Sequence, residues 1–179
     1  MDKYFYLISQ LPVLLFDKES FFNTDSFLEE AEKWMSKQDF LVLSQVSLLP
    51  SESMKIKFRL WEKVIGFEKL FQAELAAWRK ARRLGQDFKP ESFPLSLVKE
   101  GNPLDVEKKL LQWRWNFLDA LEREHHFDLE FLVIYFLKLQ ILTKLSLFVK
   151  EKGMEIFKNL EETNQAKATP AEVDLSETI

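Results

Sequence analysis

From residue 54 to residue 84 the chain runs without a proline, and Leu60, Val64, Phe67, Phe71, Leu75 and Trp78 step along it by four and three. That spacing places all six on one face of an α-helix and suits no strand. A helix of this length, about 45 Å, cannot cover its own apolar stripe, so other helices must pack on it. Gly66 is a candidate bend and Gly85 a stop.

The rest of the sequence supplies those partners. Ser26 with Glu29 reads as a capping box for a helix starting near Asp25, with Leu28, Ala31, Trp34 and Met35 on its inner side. Ser36 with Asp39 marks a second start, and Phe40, Leu43, Val46 and Leu49 share a face up to Pro50. Residues 85–103 hold Gly85, Pro90, Pro94, Gly101 and Pro103 and are expected to be a loop over the surface. Asn102-Pro103 opens a helix expected to reach about Glu124, with Pro at its first position. Asp128 caps the next, which runs to about Glu151 and is apolar on most sides, so it is expected at the centre. Met154–Glu162 has the pattern of a short last helix. Residues 1–16 are aromatic and apolar but break at Pro12, and fit a short helix or an extended segment equally.

The expected fold is therefore all-α, a bundle of about five to six helices with two or three long ones. Residues 1–164 form one helical domain in this reading. Residues 165–179, poor in large apolar side chains, form a disordered tail.

The absence of cysteine excludes disulfides and thiolate metal sites. Phe131–Leu137 is the most apolar run and falls well short of the ~20 residues a bilayer requires, so no direct membrane span is expected. No basic, apolar and small-residue leader pattern opens the chain, which points to a cytoplasmic location.

Catalytic constellations are incomplete. Glu122, Glu124, His125, His126, Asp128 and Glu130 cluster, and Glu122-x-x-His125 has the spacing of helical di-iron sites. The second half-site would need a distant histidine, and the only other one is the adjacent His126. A polar helix end is the simpler reading. No nucleophile elbow and no phosphate loop is present. The expectation is a non-enzyme with no catalytic residue, no cofactor and no metal.

Charge is unevenly spread. Residues 54–84 hold nine basic and three acidic side chains, residues 1–53 four and nine, and residues 154–179 two and six, within a net charge of −4. The densest basic patch, Trp78-Arg79-Lys80-Ala81-Arg82-Arg83, makes Trp78, Arg79, Arg82 and Arg83 candidates for a protein-docking surface or for internal pairing. An acidic chain of pI ≈ 5.4 without a nucleic-acid motif is not expected to bind nucleic acid. Lys138 interrupts the apolar helix on the side of Phe131, Tyr135 and Leu142. It is expected to meet a carboxylate, with Asp119 and Glu107 as candidates, or to snorkel outward.

Several stretches then occur in a telling order: Asn102-Pro103-Leu104-x-x-Glu107, Arg114-Trp115-Asn116-Phe117-Leu118-Asp119-x-Leu121-Glu122, His126-Phe127-Asp128, Tyr135-Phe136-Leu137-Lys138-Leu139-Gln140 and Gly153-x-x-x-Phe157. The chain opens with Tyr4-Phe5-Tyr6-Leu7-Ile8-Ser9-Gln10-Leu11-Pro12. The set resembles the C-type (d-type) subunit of rotary V/A-type ATPases, and more closely a short uncharacterised bacterial family encoded beside V-type ATPase genes. The resemblance implies an all-helical, non-catalytic subunit or accessory factor with ATPase stalk or ring subunits as partners. It would sit on the cytoplasmic side, peripheral to the inner membrane through the ATPase. The alternative is a stand-alone helical adaptor unrelated to the ATPase.

Overall fold

The structure, a computed structural model, describes residues 3–16, 18, 22–48 and 58–148. The chain divides into two compact units, Met1–Lys144 and Leu145–Ile179. The disordered tail expected over 165–179, the short helix over 154–162 and the boundary after 164 lie outside the described residues, as do Leu49, Pro50, Gly153 and Phe157.

Among the described residues there are seven helices and no strand: α1 (Phe5–Gln10), α2 (Thr24–Trp34), α3 (Lys37–Gln45), α4 (Arg59–Arg83), α5 (Ser96–Lys99), α6 (Pro103–Glu122) and α7 (Leu129–Ser146). The protein is an all-α bundle. No helix among the described residues is long and apolar enough to cross a membrane.

Local chemistry explains several helix ends. The Asn102 side chain accepts from the Asp105 N–H at 2.9 Å and Asp105 reaches back to the Asn102 N–H, a reciprocal cap with Pro103 in the first helical position. Asp128 Oδ1 accepts from the Phe131 N–H at 2.8 Å and starts α7. Gly85, at φ +66, lets the chain turn back so that the Gln86 N–H reaches the Ala81 carbonyl at 2.9 Å and closes α4. The start of α2 departs from expectation. Asn23 is the cap, accepting from the Ser26 N–H at 2.8 Å, so Ser26 lies inside the first turn and caps nothing. The inner face also differs: Phe27, Ala31 and Met35 are buried, while Trp34 points outward and stacks on Tyr6 at 5.6 Å.

Helix α7 is the centre of the first unit. Every residue from Leu132 to Leu139 is buried, and Phe27 of α2 packs on both Tyr135 and Phe136. Truncating a fully buried ring such as Phe27 to Ala costs about 3–5 kcal/mol. Gln140 of α7 clamps the end of α3, donating to the Val46 carbonyl at 3.1 Å and accepting from the Leu48 N–H at 2.7 Å. These bonds satisfy backbone groups that the end of α3 would otherwise leave open.

A second cluster joins α4, α5 and α6 through Phe71, Leu75, Phe93, Val98 and Leu110, with Trp78, Leu95 and Trp113 against it. Phe93 and Val98 come from the segment expected to lie on the surface. That segment instead dips inward and includes the short helix α5. The Glu74 carboxylate holds it there, accepting from Glu91 N, Ser92 N and Ser92 Oγ at 3.1, 2.8 and 2.6 Å.

Candidate functional site

Two ion pairs, one buried and one partly exposed, involve α6. On one side Arg114 donates through Nε and Nη2 to both oxygens of Glu68 on α4, at 3.0 and 2.7 Å. Both residues are 6% exposed. Gln72 adds a bond to Glu68 at 2.7 Å, and the guanidinium lies 4.7 Å from the centre of the Phe71 ring. The two parallel bonds and the amide offset much of the desolvation that a buried charge pair must bear.

On the other side is Lys138 of α7, only 4% exposed. Its amine lies between Asp119 and Glu122 of α6 and 5.1 Å from the Trp115 ring. The structure thus brings Lys138 and Asp119 together, adds Glu122, and leaves Glu107 apart. Glu107 precedes Asp119 by twelve residues, about 18 Å along a helix, and side chains of α7 lean toward its N-terminus, where α6 ends. Asp119 and Glu122 keep 44% and 28% of their side-chain surface in solvent. Burial, with the nearby charge of Glu122, raises the Tyr135 hydroxyl well above its ordinary range, and that hydroxyl donates to the Pro12 carbonyl at 2.8 Å.

The acidic-histidine cluster is divided: Glu122 meets Lys138, Glu124 lies 3.6 Å from Lys63, and Asp128 caps α7. His125 Nδ1 lies 3.0 Å from Asp128 Oδ2 while the other Asp128 oxygen caps α7. His125, Asp128 and Glu130 bring their ligand-type atoms within 4.8 Å of one another. His125 bonds to its own loop, as a polar helix end would.

The basic patch occupies the last turns of α4. Trp78 is half-buried against the second cluster, and the Arg82 guanidinium lies 5.4 Å from its ring centre. Arg79, Arg82 and Arg83 are exposed, and none forms an ion pair among the described residues. Of the two sequence readings, internal pairing is therefore not realised for these three within the described residues. Trp78 and Arg82 open into a cavity of about 380 Å³ that Gln86, Asp87, Phe88, Leu95 and Lys99 complete. Its far wall comes from the segment that Glu74 anchors.

A family model described as a protein of unknown function (DUF2764) matches residues 84–166, which include α5, α6 and α7. The chain is similar to that family over this stretch. No curated protein and no solved structure matches it.

Proposed function

We propose that this chain is a non-catalytic subunit or accessory factor of a bacterial V-type ATPase, contacting its stalk or ring from the cytoplasmic side. The observation that carries the reading is the pair of ionic clamps on α6, the buried Glu68–Arg114 pair toward α4 and, toward α7, the buried Lys138 amine held by the partly exposed Asp119 and Glu122. They tie three long helices into one stiff unit. Buried charges of this kind cost stability relative to apolar packing and are best attested where they fix one arrangement. A part that transmits force or templates assembly needs a fixed arrangement more than it needs a reactive centre.

The order of the motifs from Asn102 to Phe157 supplies the ATPase attribution, and the clamp residues Arg114, Asp119, Glu122 and Lys138 all fall within those motifs. Native gel electrophoresis of gently solubilised host membranes, probed for this chain, tests the reading. Comigration with the rotary ATPase supports it. A chain found only at its own mass, with the ATPase intact and unchanged when the gene is deleted, overturns it and favours a stand-alone adaptor.

A further inference from the structure

We infer that the groove at the end of α4 is a docking site for an acidic peptide segment of a partner protein, one that carries a large apolar side chain between carboxylates. Trp78, Phe88 and Leu95 give the cavity apolar walls, and Arg82 and Lys99 place two cations on it against the single carboxylate of Asp87. Arg79, three residues before Arg82, extends the positive charge along the exposed face of α4, and Arg83, four after Arg79, flanks it on the other side.

Charge complementarity defines the occupant. The three arginines have no ion-pair partner among the described residues. Three of the last four carbonyls of α4, those of Lys80, Ala81 and Arg82, are already engaged by the N–H groups of Leu84, Gly85 and Gln86. The cations are thus not consumed in satisfying the helix end. A cavity of about 380 Å³ lies near the lower limit of ligand pockets, roughly 300–1,000 Å³. It admits one bulky side chain, while the cation row outside it continues for a helical turn. A small anion would engage only the pocket, whereas an extended peptide engages both. Nucleic acid could use both the cations and the aromatic walls, but a chain of net charge −4 is poorly suited to it.

The half-buried tryptophan beside arginine is the composition expected of an interface anchor. Leu84, exposed at the end of the helix, adds apolar surface beside it. Glu74, which fixes the far wall through Ser92, acts as a positioning residue.

The inference rests on the protein-binding reading above but not on the ATPase attribution, and its test uses no ATPase component. A display library of random twelve-residue peptides is panned against the full chain and, in parallel, against R82E/K99E. The strongest clone is then made as a labelled peptide and titrated by fluorescence anisotropy. The expected result is enrichment of sequences with a large apolar residue flanked by at least two Asp or Glu. Affinity should fall at least tenfold on R82E/K99E, and at least tenfold when the apolar residue becomes Ala. A peptide with its acids changed to Lys should bind R82E/K99E better than the parent chain. Both substituted positions are exposed, and an unchanged melting temperature of R82E/K99E verifies its fold. Failure to enrich any sequence, enrichment without acidic bias, or indifference to R82E/K99E would overturn the inference. Tighter binding of a labelled oligothymidylate than of the peptide, lost in the same variant, would also overturn it and mark a nucleic-acid surface. Loss of the ATPase link in the native gel with the peptide result intact would leave the groove standing.

Discussion

Arg114 and Glu68 face each other in a two-point, side-on contact 46 residues apart in sequence, and neither reaches solvent appreciably. Each is the only ion-pair partner of the other among the described residues. Removing one leaves an uncompensated buried charge, whereas removing both leaves none. Glu68→Ala and Arg114→Ala should each destabilise by about 3–5 kcal/mol in denaturant unfolding, while Glu68→Met with Arg114→Met should lie close to the parent. Additive losses in the double variant would show that the pair is not coupled.

Lys138 has a different arithmetic because two carboxylates share it. Asp119→Ala should cost about 1 kcal/mol or less, since Asp119 is partly solvated and Glu122 remains. The double variant Asp119→Ala/Glu122→Ala strands the buried amine and should cost about 3–5 kcal/mol. Lys138→Met in that background should recover much of the loss. Chemical denaturation of the four proteins decides the matter, and a full-sized penalty from Asp119→Ala alone would rule out shared pairing.

The N-terminal segment is held partly by an acid-sensitive contact. Tyr4, buried, and Lys3 both donate to Asp39 of α3, and Tyr4 N–H bonds to the Phe127 carbonyl at 3.0 Å. Burial works to raise the Asp39 carboxyl, but bonds from Lys3, Tyr4 and Ser36 outweigh it and hold the group below its ordinary 3.8. The unfolded chain therefore takes up a proton first as pH falls. Asp39 contributes stability that is complete well above pH 3.8 and is lost as pH drops through the lower folded value. The melting temperature gap between the parent and Asp39→Asn should be constant near neutrality and close below pH 3.8. A gap that widens on acidification would contradict the contact.

Glu74 should control order in the groove wall. Its carboxyl is held below 4.5 chiefly by the Ser92 hydroxyl, then by backbone N–H groups. Glu74→Ala should accelerate hydrogen exchange at Glu91 and Ser92 with little change in α7. Unchanged exchange at those two amides would show that the carboxylate does not anchor the segment.

What the sequence revealed and what it hid follow from range. Gly85, Asn102-Pro103, Ser36 and Asp128 announce helix ends through groups three to five residues away, and those ends stand where the chemistry puts them. The run from Leu132 to Leu139 announces a central helix by having no polar face. Glu68 was hidden because its partner is remote. Its one available signal was position, four after Val64 and three before Phe71, on the apolar stripe itself rather than beside it. Prolines and glycines set a surface expectation for residues 85–103, whereas the Glu74 contacts and the packing of Phe93 and Val98 pull the segment inward. The docking groove joins a helix face that was legible to a loop wall that was not.

The proposed role is association with a rotary ATPase through a non-catalytic helical body. Its most direct measurement is affinity capture of the tagged chain from the native host at endogenous level, with quantitative mass spectrometry of everything retained. V-type ATPase stalk or ring subunits should be the most enriched proteins. Capture that retains no ATPase subunit, while the tagged chain is folded and present, would contradict it.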